Sequence, residues 1–359
     1  MGKCRELPQL ENLASDTVLQ RSLTVGSVIT TASSFATQFQ SEKDLVLRTQ
    51  RYQEIGTGLQ GIVYERVGSI YVTKKELPTN KGRCLYDEIA MHRKVSDAFK
   101  KYTEYSNDVR VPQPFDFISN ESLSTELLSR MPGNDRQPSD IATMERILPL
   151  LKVVRKAMIQ NFYLDETNAR EEHLVTQILS ERANKHCLAR IYLGKKAIAR
   201  SKESFSLRNF PLTLDIMGEL ALDMMRFASI IGSAYAIMHW AAGITGDDVE
   251  FVLGTSASGS AYHCLQDRAV HMYLLDFGQC DTVDLSEDQD DIFQAFKGSM
   301  VLQQNQIYLP HPRRSAALYK SWKAAYISTA REVIRHERLP FDPVEFIKEY
   351  EEYLEDFDP

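Results

Sequence analysis

The feature that most constrains this chain is an ordered series of four elements. Gly56-Thr-Gly58-Leu-Gln-Gly61-Ile-Val63 reads G-x-G-x-x-G-x-V. It sits among β-branched and aromatic residues (Ile55, Ile62, Val63, Tyr64, Val67, Ile70, Tyr71, Val72) that predict short antiparallel strands with tight turns. Thirteen residues after Gly61 comes Lys74, with Lys75 beside it, and fourteen further comes Glu88. Much later Leu274-Leu275-Asp276-Phe277-Gly278 closes the series. Glycines let backbone amides approach an anion. Taken singly, each element has a plainer explanation: a hairpin turn, a solvated lysine, a solvated glutamate. Together, in this order, they are hard to reach by chance.

Periodicity supplies the surroundings. Leu85, Ile89, His92 and Val95 fall at helical spacing and predict a helix over 85–98. After Glu145 the pattern turns helical: 148–162, 170–183, a long apolar helix over 214–242, then 315–336 and 343–357. Residues 189–194 and 205–210 read as paired strands around a basic loop, and 250–253 and 272–275 as short buried strands. The expected class is α+β. The expected divisions are an N-terminal extension over 1–45, packed on the domain or loose from it, a small β-rich lobe over 46–145, and a larger helical lobe over 146–359 carrying a basic hairpin at 189–210. Of the 359 residues 43% are hydrophobic, ample for a core.

Five widely spaced cysteines form no C-x-x-C pair, which argues against a zinc finger or a disulfide scaffold. The longest apolar stretch, near 228–242, is interrupted by Ser229, Gly232, Ser233 and His239, and the polar start does not read as a secretory signal. A cytoplasmic location, away from membranes, is expected.

On these residues the chain resembles the protein-kinase-like fold, a bilobal arrangement. The resemblance implies that Gly56, Gly58 and Gly61 cover phosphates, that Lys74, or else Lys75, pairs with Glu88, and that Asp276 holds magnesium. The stretch matching the kinase catalytic loop departs: Ala241-Ala-Gly-Ile-Thr-Gly-Asp247-Asp248-Val-Glu250 has no His-Arg pair and no Asn at the required spacing. Two carboxylates at i and i+2 on an extended segment would point the same way. A Gly- and Ser-rich loop over 254–261 would follow them.

A second resemblance is closer. Met144-Glu-Arg-Ile-Leu-Pro-Leu150, Arg190-Ile-Tyr-Leu-Gly194, Leu207-Arg-Asn-Phe-Pro-Leu212, Met238-His-Trp240 and Asp248-Val-Glu-Phe-Val-Leu-Gly254 look like strings of a fungal family of kinase-like proteins, long filed as hypothetical or as zinc-finger proteins. The similarity spans roughly 50–335. The family's usual N-D-P-Y-x-P-R-P stands here as Asn305-Gln-Ile-Tyr308-Leu-Pro310-His-Pro312, which marks a divergent member. The family includes arginine-containing cyclodipeptide synthases, so the resemblance implies an aminoacyltransferase of secondary metabolism. It would join arginine from arginyl-tRNA to a second residue from another aminoacyl-tRNA, needing no cofactor and no metal. The alternatives are an ATP- and magnesium-dependent phosphotransferase and an inactive pseudokinase that binds a partner.

Charge placement bears on that reading. The net charge is −7, yet residues 182–208 carry +7, so the remainder carries −14. An acidic body argues against DNA or general nucleic-acid binding. A basic strip at one edge suits an RNA backbone, with Lys185, Arg190, Lys195, Lys196, Arg200, Lys202 and Arg208 as candidate contacts. A solvated hairpin loop explains the strip equally well. Tyr192, Phe205 and Phe210 lie within it, as base-stacking candidates or core residues. A guanidinium pairs with carboxylates through parallel hydrogen bonds. Asp247, Asp248, Glu250 and Asp276 are therefore the candidates for an arginyl group, with Asp248 or Glu250 as base and Asp276 beside them. His239, next to Trp240, is expected to be a packed core histidine.

Overall fold

The computed structural model describes residues 4–30, 51–66, 69–77, 84–163, 172–198, 205–257 and 267–357. Helix and strand are mixed, with two separate sheets, as the α+β expectation required.

The N-terminal residues belong to the body of the molecule. Strand β1 (Cys4–Glu6), helices α1 (Leu7–Glu11) and α2 (Ser15–Ser22) and strand β2 (Val28–Thr30) come first. β1 runs parallel to β2, and β2 adds antiparallel to the distant strand Asp267–Leu275. Leu10, Val18, Leu19, Leu23, Val25 and Ile29 enter the main core. Two three-residue strands have no detectable period, so only the tertiary pairing reveals them.

The smaller sheet is antiparallel and positions the glycine series. It is built from β3 (Tyr52–Thr57), β4 (Gly61–Arg66) and β5 (Tyr71–Glu76). After helix α3 (Leu85–Lys101) and strand β6 (Val109–Arg110), β7 (Pro114–Ile118) and β8 (Ile141–Glu145) complete it, in the order β3-β4-β5-β8-β7. α3 buries Leu85, Glu88, Ile89, His92, Val95 and Phe99, the predicted face.

The rest supplies the larger sheet and its helices. In order come α4 (Lys152–Phe162), α5 (Glu172–Ser180), β9 (Ala189–Ile191), β10 (Phe210–Leu212), α6 (Leu214–Glu219), α7 (Met224–Ile237) and a π-helical turn (Met238–Ala242). They are followed by β11 (Glu250–Ala257), β12 (Asp267–Leu275), α8 (Gln289–Met300), α9 (Ala316–Glu337) and α10 (Pro343–Phe357). The sheet order is β1-β2-β12-β11-β9-β10, with β6 also pairing β12.

Several expectations are corrected here. β9 and β10 pair in parallel, so 189–210 is a crossover rather than a hairpin. The helix expected over 148–162 starts at Lys152, because Leu148 bridges to Thr255 on β11. The helix expected over 214–242 is interrupted: Ala221 takes φ +48, and the Asp223 side chain accepts from Arg226 N to start α7 afresh. Residues 254–257, expected in a loop, continue β11 as strand; 258–261 lie outside the described residues.

α7 and α9 form the helical core, in close contact at Gly232, where a Cβ would stand 2.3 Å from the Trp322 carbonyl oxygen. His239 is buried, stacked on Phe296, with its ring nitrogens against the Tyr326 hydroxyl and the Thr245 carbonyl. It is the packed core histidine expected. α10 docks through Phe346, Ile347, Tyr350 and Leu354, while Glu349, Glu351 and Glu355 pair with Lys297, Lys323 and Arg313. Cys84, Cys187 and Cys280 form no disulfide among the described residues. Among the described residues no helix is long and apolar enough to cross a membrane.

Candidate active site

The glycine series makes a tight hairpin. Gly58 N donates to Gly61 O at 2.9 Å, and Leu59 stands out at the tip, 89% exposed. Gly61 is required by packing: a Cβ there would meet the Lys75 carbonyl oxygen at 2.7 Å and the Lys74 side chain at 3.3 Å. Gly56, Val63 and Lys74 are direct partners across β3, β4 and β5, so the glycine strand and the lysine share one transverse row.

Lys74 and Lys75 point to opposite faces, as strand alternation demands. Lys74 Nζ donates to both oxygens of Glu88, at 2.6 and 2.7 Å, and stands 3.9 Å from Asp276 Oδ1. Lys75 goes to the other side and donates to Ser139 Oγ at 2.7 Å. Lys74 is therefore the lysine paired with Glu88. Burial works against its ammonium, but Glu88 and Asp276 outweigh burial and hold its pKa above the ordinary lysine value. Gln60, from the hairpin tip, donates to the Gly278 carbonyl at 2.8 Å. This bond ties the glycine hairpin to the turn carrying Asp276, which has φ +67.

The carboxylates converge, though by a different route from the one expected. Asp248 lies in a turn with φ +56 rather than in an extended segment, and its backbone N–H donates to Asn305 Oδ1 at 3.0 Å. Glu250 opens β11. Burial raises the pKa of Asp248, and Asp276 adds to the rise. Burial also raises Glu250, to about 7; Arg190 pulls it down, while Asp276 and Asp248 push it up. Asp247 faces another way, its carboxylate accepting from the Thr245 hydroxyl within the turn.

Arg190 is a correction. Expected on the solvent-facing basic strip, it lies on β9 beside β11 and places Nη2 2.5 Å from Glu250 Oε1. With its side chain 25% exposed and paired to a carboxylate, it belongs to the acidic cluster. Lys185, Lys195 and Lys196 are exposed, Arg208 is half-buried, and Arg200 and Lys202 lie outside the described residues. Of the aromatic candidates, Tyr192 and Phe210 are core, and half-buried Phe205 packs on Tyr163.

Sequence reasoning missed three contributors: Arg190 in its inward role, Gln60 and Tyr308. The Tyr308 ring packs edge-on against Tyr192, and burial followed by Glu250 holds its hydroxyl well above the ordinary tyrosine pKa. The string containing Tyr308 had been singled out, but nothing local shows which carboxylate a side chain so distant in sequence will meet. Compared with known proteins, the chain matches no family model and none of the curated proteins.

Proposed function

We propose that the chain is an arginine-containing cyclodipeptide synthase on a kinase-like, bilobal scaffold, taking arginine and a second residue from aminoacyl-tRNAs in the cytoplasm. The observation that carries this reading is the guanidinium already seated on Glu250: the acidic hollow holds Arg190 by the interaction that an arginyl substrate would make. Asp248 and Asp276 extend the hollow, giving a cationic side chain carboxylates to pair with.

The chemistry follows from an ester that is already activated, so no ATP is consumed. The α-amine of one aminoacyl-tRNA attacks the ester carbonyl of the other. A C–N bond forms, the C–O bond to the ribose breaks, and the freed hydroxyl leaves on the second tRNA. The amine proton passes to Glu250, whose pKa of about 7 is close to that of an α-amine, and returns to the departing ribose oxygen. Lys74 and the amides of the Gly56–Gly61 hairpin face the oxyanion. The free amine of the dipeptidyl ester then attacks the remaining ester, closes the ring and releases the first tRNA. Holding both groups in register is the larger part of the catalysis.

The test is mass spectrometry of small molecules from a heterologous host. A ribonuclease-sensitive cyclic dipeptide containing arginine is expected, and it is lost in the variant carrying Asp248→Asn with Glu250→Ala. Product that persists in that variant sinks the assignment. A phosphotransferase is the second reading, favoured by the Lys74–Glu88 pair with Asp276 at 3.9 Å. A thermal shift with millimolar MgATP, lost in Lys74→Met, would support it instead.

A further inference from the structure

The basic strip contains a feature that its sequence does not display. The imidazole of His186 lies within electrostatic reach of four guanidinium groups: Arg146, Arg182, Arg155 and Arg208. Burial and these four cations lower its pKa to about 4, so it adds no charge of its own near neutral pH. Arg146 is paired with buried Glu65. The other three have no carboxylate partner among the described residues. Arg155 donates to the carbonyls of Leu150 and Asn184 at 3.1 and 2.9 Å. Arg182 Nη2 donates to the Glu54 carbonyl at 2.7 Å, and Arg208 Nη2 lies 3.4 Å from where a Cβ on Gly56 would stand. Two guanidiniums without a carboxylate partner among the described residues, Arg182 and Arg208, thus lie at the edge of the glycine hairpin, with Arg155 held on the Asn184 carbonyl close to Arg182 in the chain's fold.

The geometry points to a phosphate-binding cluster, Arg182 and Arg208 with Arg155 behind them, that holds the single-stranded 3′ end of the RNA carrier beside the glycine hairpin. This deepens the proposed function and rests on it. Guanidinium forks match phosphate oxygens, and neutral carbonyl partners leave their charge available to an anion. Position selects a strand end. Gly56, next to Arg208, is two strand spacings from Lys74 through Val63, or about 10 Å across the sheet. A short unpaired end lying on Arg182 and Arg208 therefore reaches the Lys74–Asp276 cleft with its terminal ester. Exposed Lys185 extends the positive surface outward, toward the body of a folded RNA. Lys195 and Lys196 are anchored at another element: their backbone carbonyls accept from the amides of Leu214 and Asp215 at the start of α6.

The probe is a fluorescein-labelled RNA hairpin with a single-stranded 3′-CCA end and no amino acid attached, titrated by anisotropy against the full chain from 50 to 300 mM KCl. Arg182→Ala with Arg208→Ala is expected to weaken binding about tenfold and to lower the slope of log affinity against log salt by about 1.4, two single-strand phosphate contacts. Arg182→Lys with Arg208→Lys should keep the slope and lose less affinity, because charge is retained without the fork. Lys195→Ala with Lys196→Ala should change affinity less than the arginine pair does. The inference fails if the arginine-to-alanine pair binds like wild type, or if trimming the 3′ end leaves wild-type affinity unchanged. Because the probe carries no ester, its binding does not depend on the chemistry. RNA binding lost in the variant, with no cyclic dipeptide from wild type, sinks the synthase reading and leaves the cluster standing. Product formation with unaltered RNA binding in the variant does the reverse.

Discussion

Glu250 carries a cost that function explains. Its pKa of about 7 stands some 2.5 units above the ordinary 4.5, so the fold prefers it protonated. The stability this gives is fully present below pH 4.5 and is lost as pH rises through 7. Glu250→Gln removes the penalty. Wild type is therefore expected to lose more stability between pH 4 and pH 8 than the variant does, as chemical denaturation at the two pH values would measure. The same variant should lose activity by about two orders of magnitude. A base works deprotonated, so kcat/KM should rise with pH and level off above about 7. Arg190→Gln withdraws the cation that most lowers this pKa and moves the rising limb to higher pH; a limb that stays in place would remove Arg190 from the tuning of Glu250.

Among the elements, the glycine hairpin and the turn after β12 are separate pieces joined by Gln60. Its amide reaches the Gly278 carbonyl across 218 positions of sequence. Gln60→Ala cuts that bond while leaving the ladder between β3, β4 and β5 intact. The expected result is a several-fold rise in KM with kcat less affected and little change in melting temperature; unchanged kinetics would mean that the hairpin is held by its strands alone. What could be read in advance follows from range. α3, α9 and α10 have long periodic faces and lie within a few residues of their expected bounds. The glycines, Lys74, Glu88 and Asp276 announce themselves by spacing and do meet. The parallel pairing of β9 with β10 and the inward turn of Arg190 depend on β11, some sixty residues away, and have no local signal. The break at Ala221 was hidden because the helical pattern resumes after it, with only Asp223 marking the new start.

For the whole molecule, the open question in the sequence was whether the first residues are an appendage. β2 covers the edge of β12 that its neighbour β6 leaves free: it pairs residues 267–269, whereas β6 pairs 272–273. Six apolar side chains from Leu10 to Ile29 are buried in the core, Leu19 and Leu23 completely. At about 1.5–3 kcal/mol each, their burial contributes on the order of 10 kcal/mol, comparable to the whole net stability of a typical domain. The loss is larger than the chain can absorb, and it would also leave a strand edge bare. A chain starting after residue 30 is therefore expected to be insoluble, or to lack a cooperative melt, and to make no product. A truncated chain that melts within a few degrees of the full one would show that the segment is ornamental and that the core closes without it.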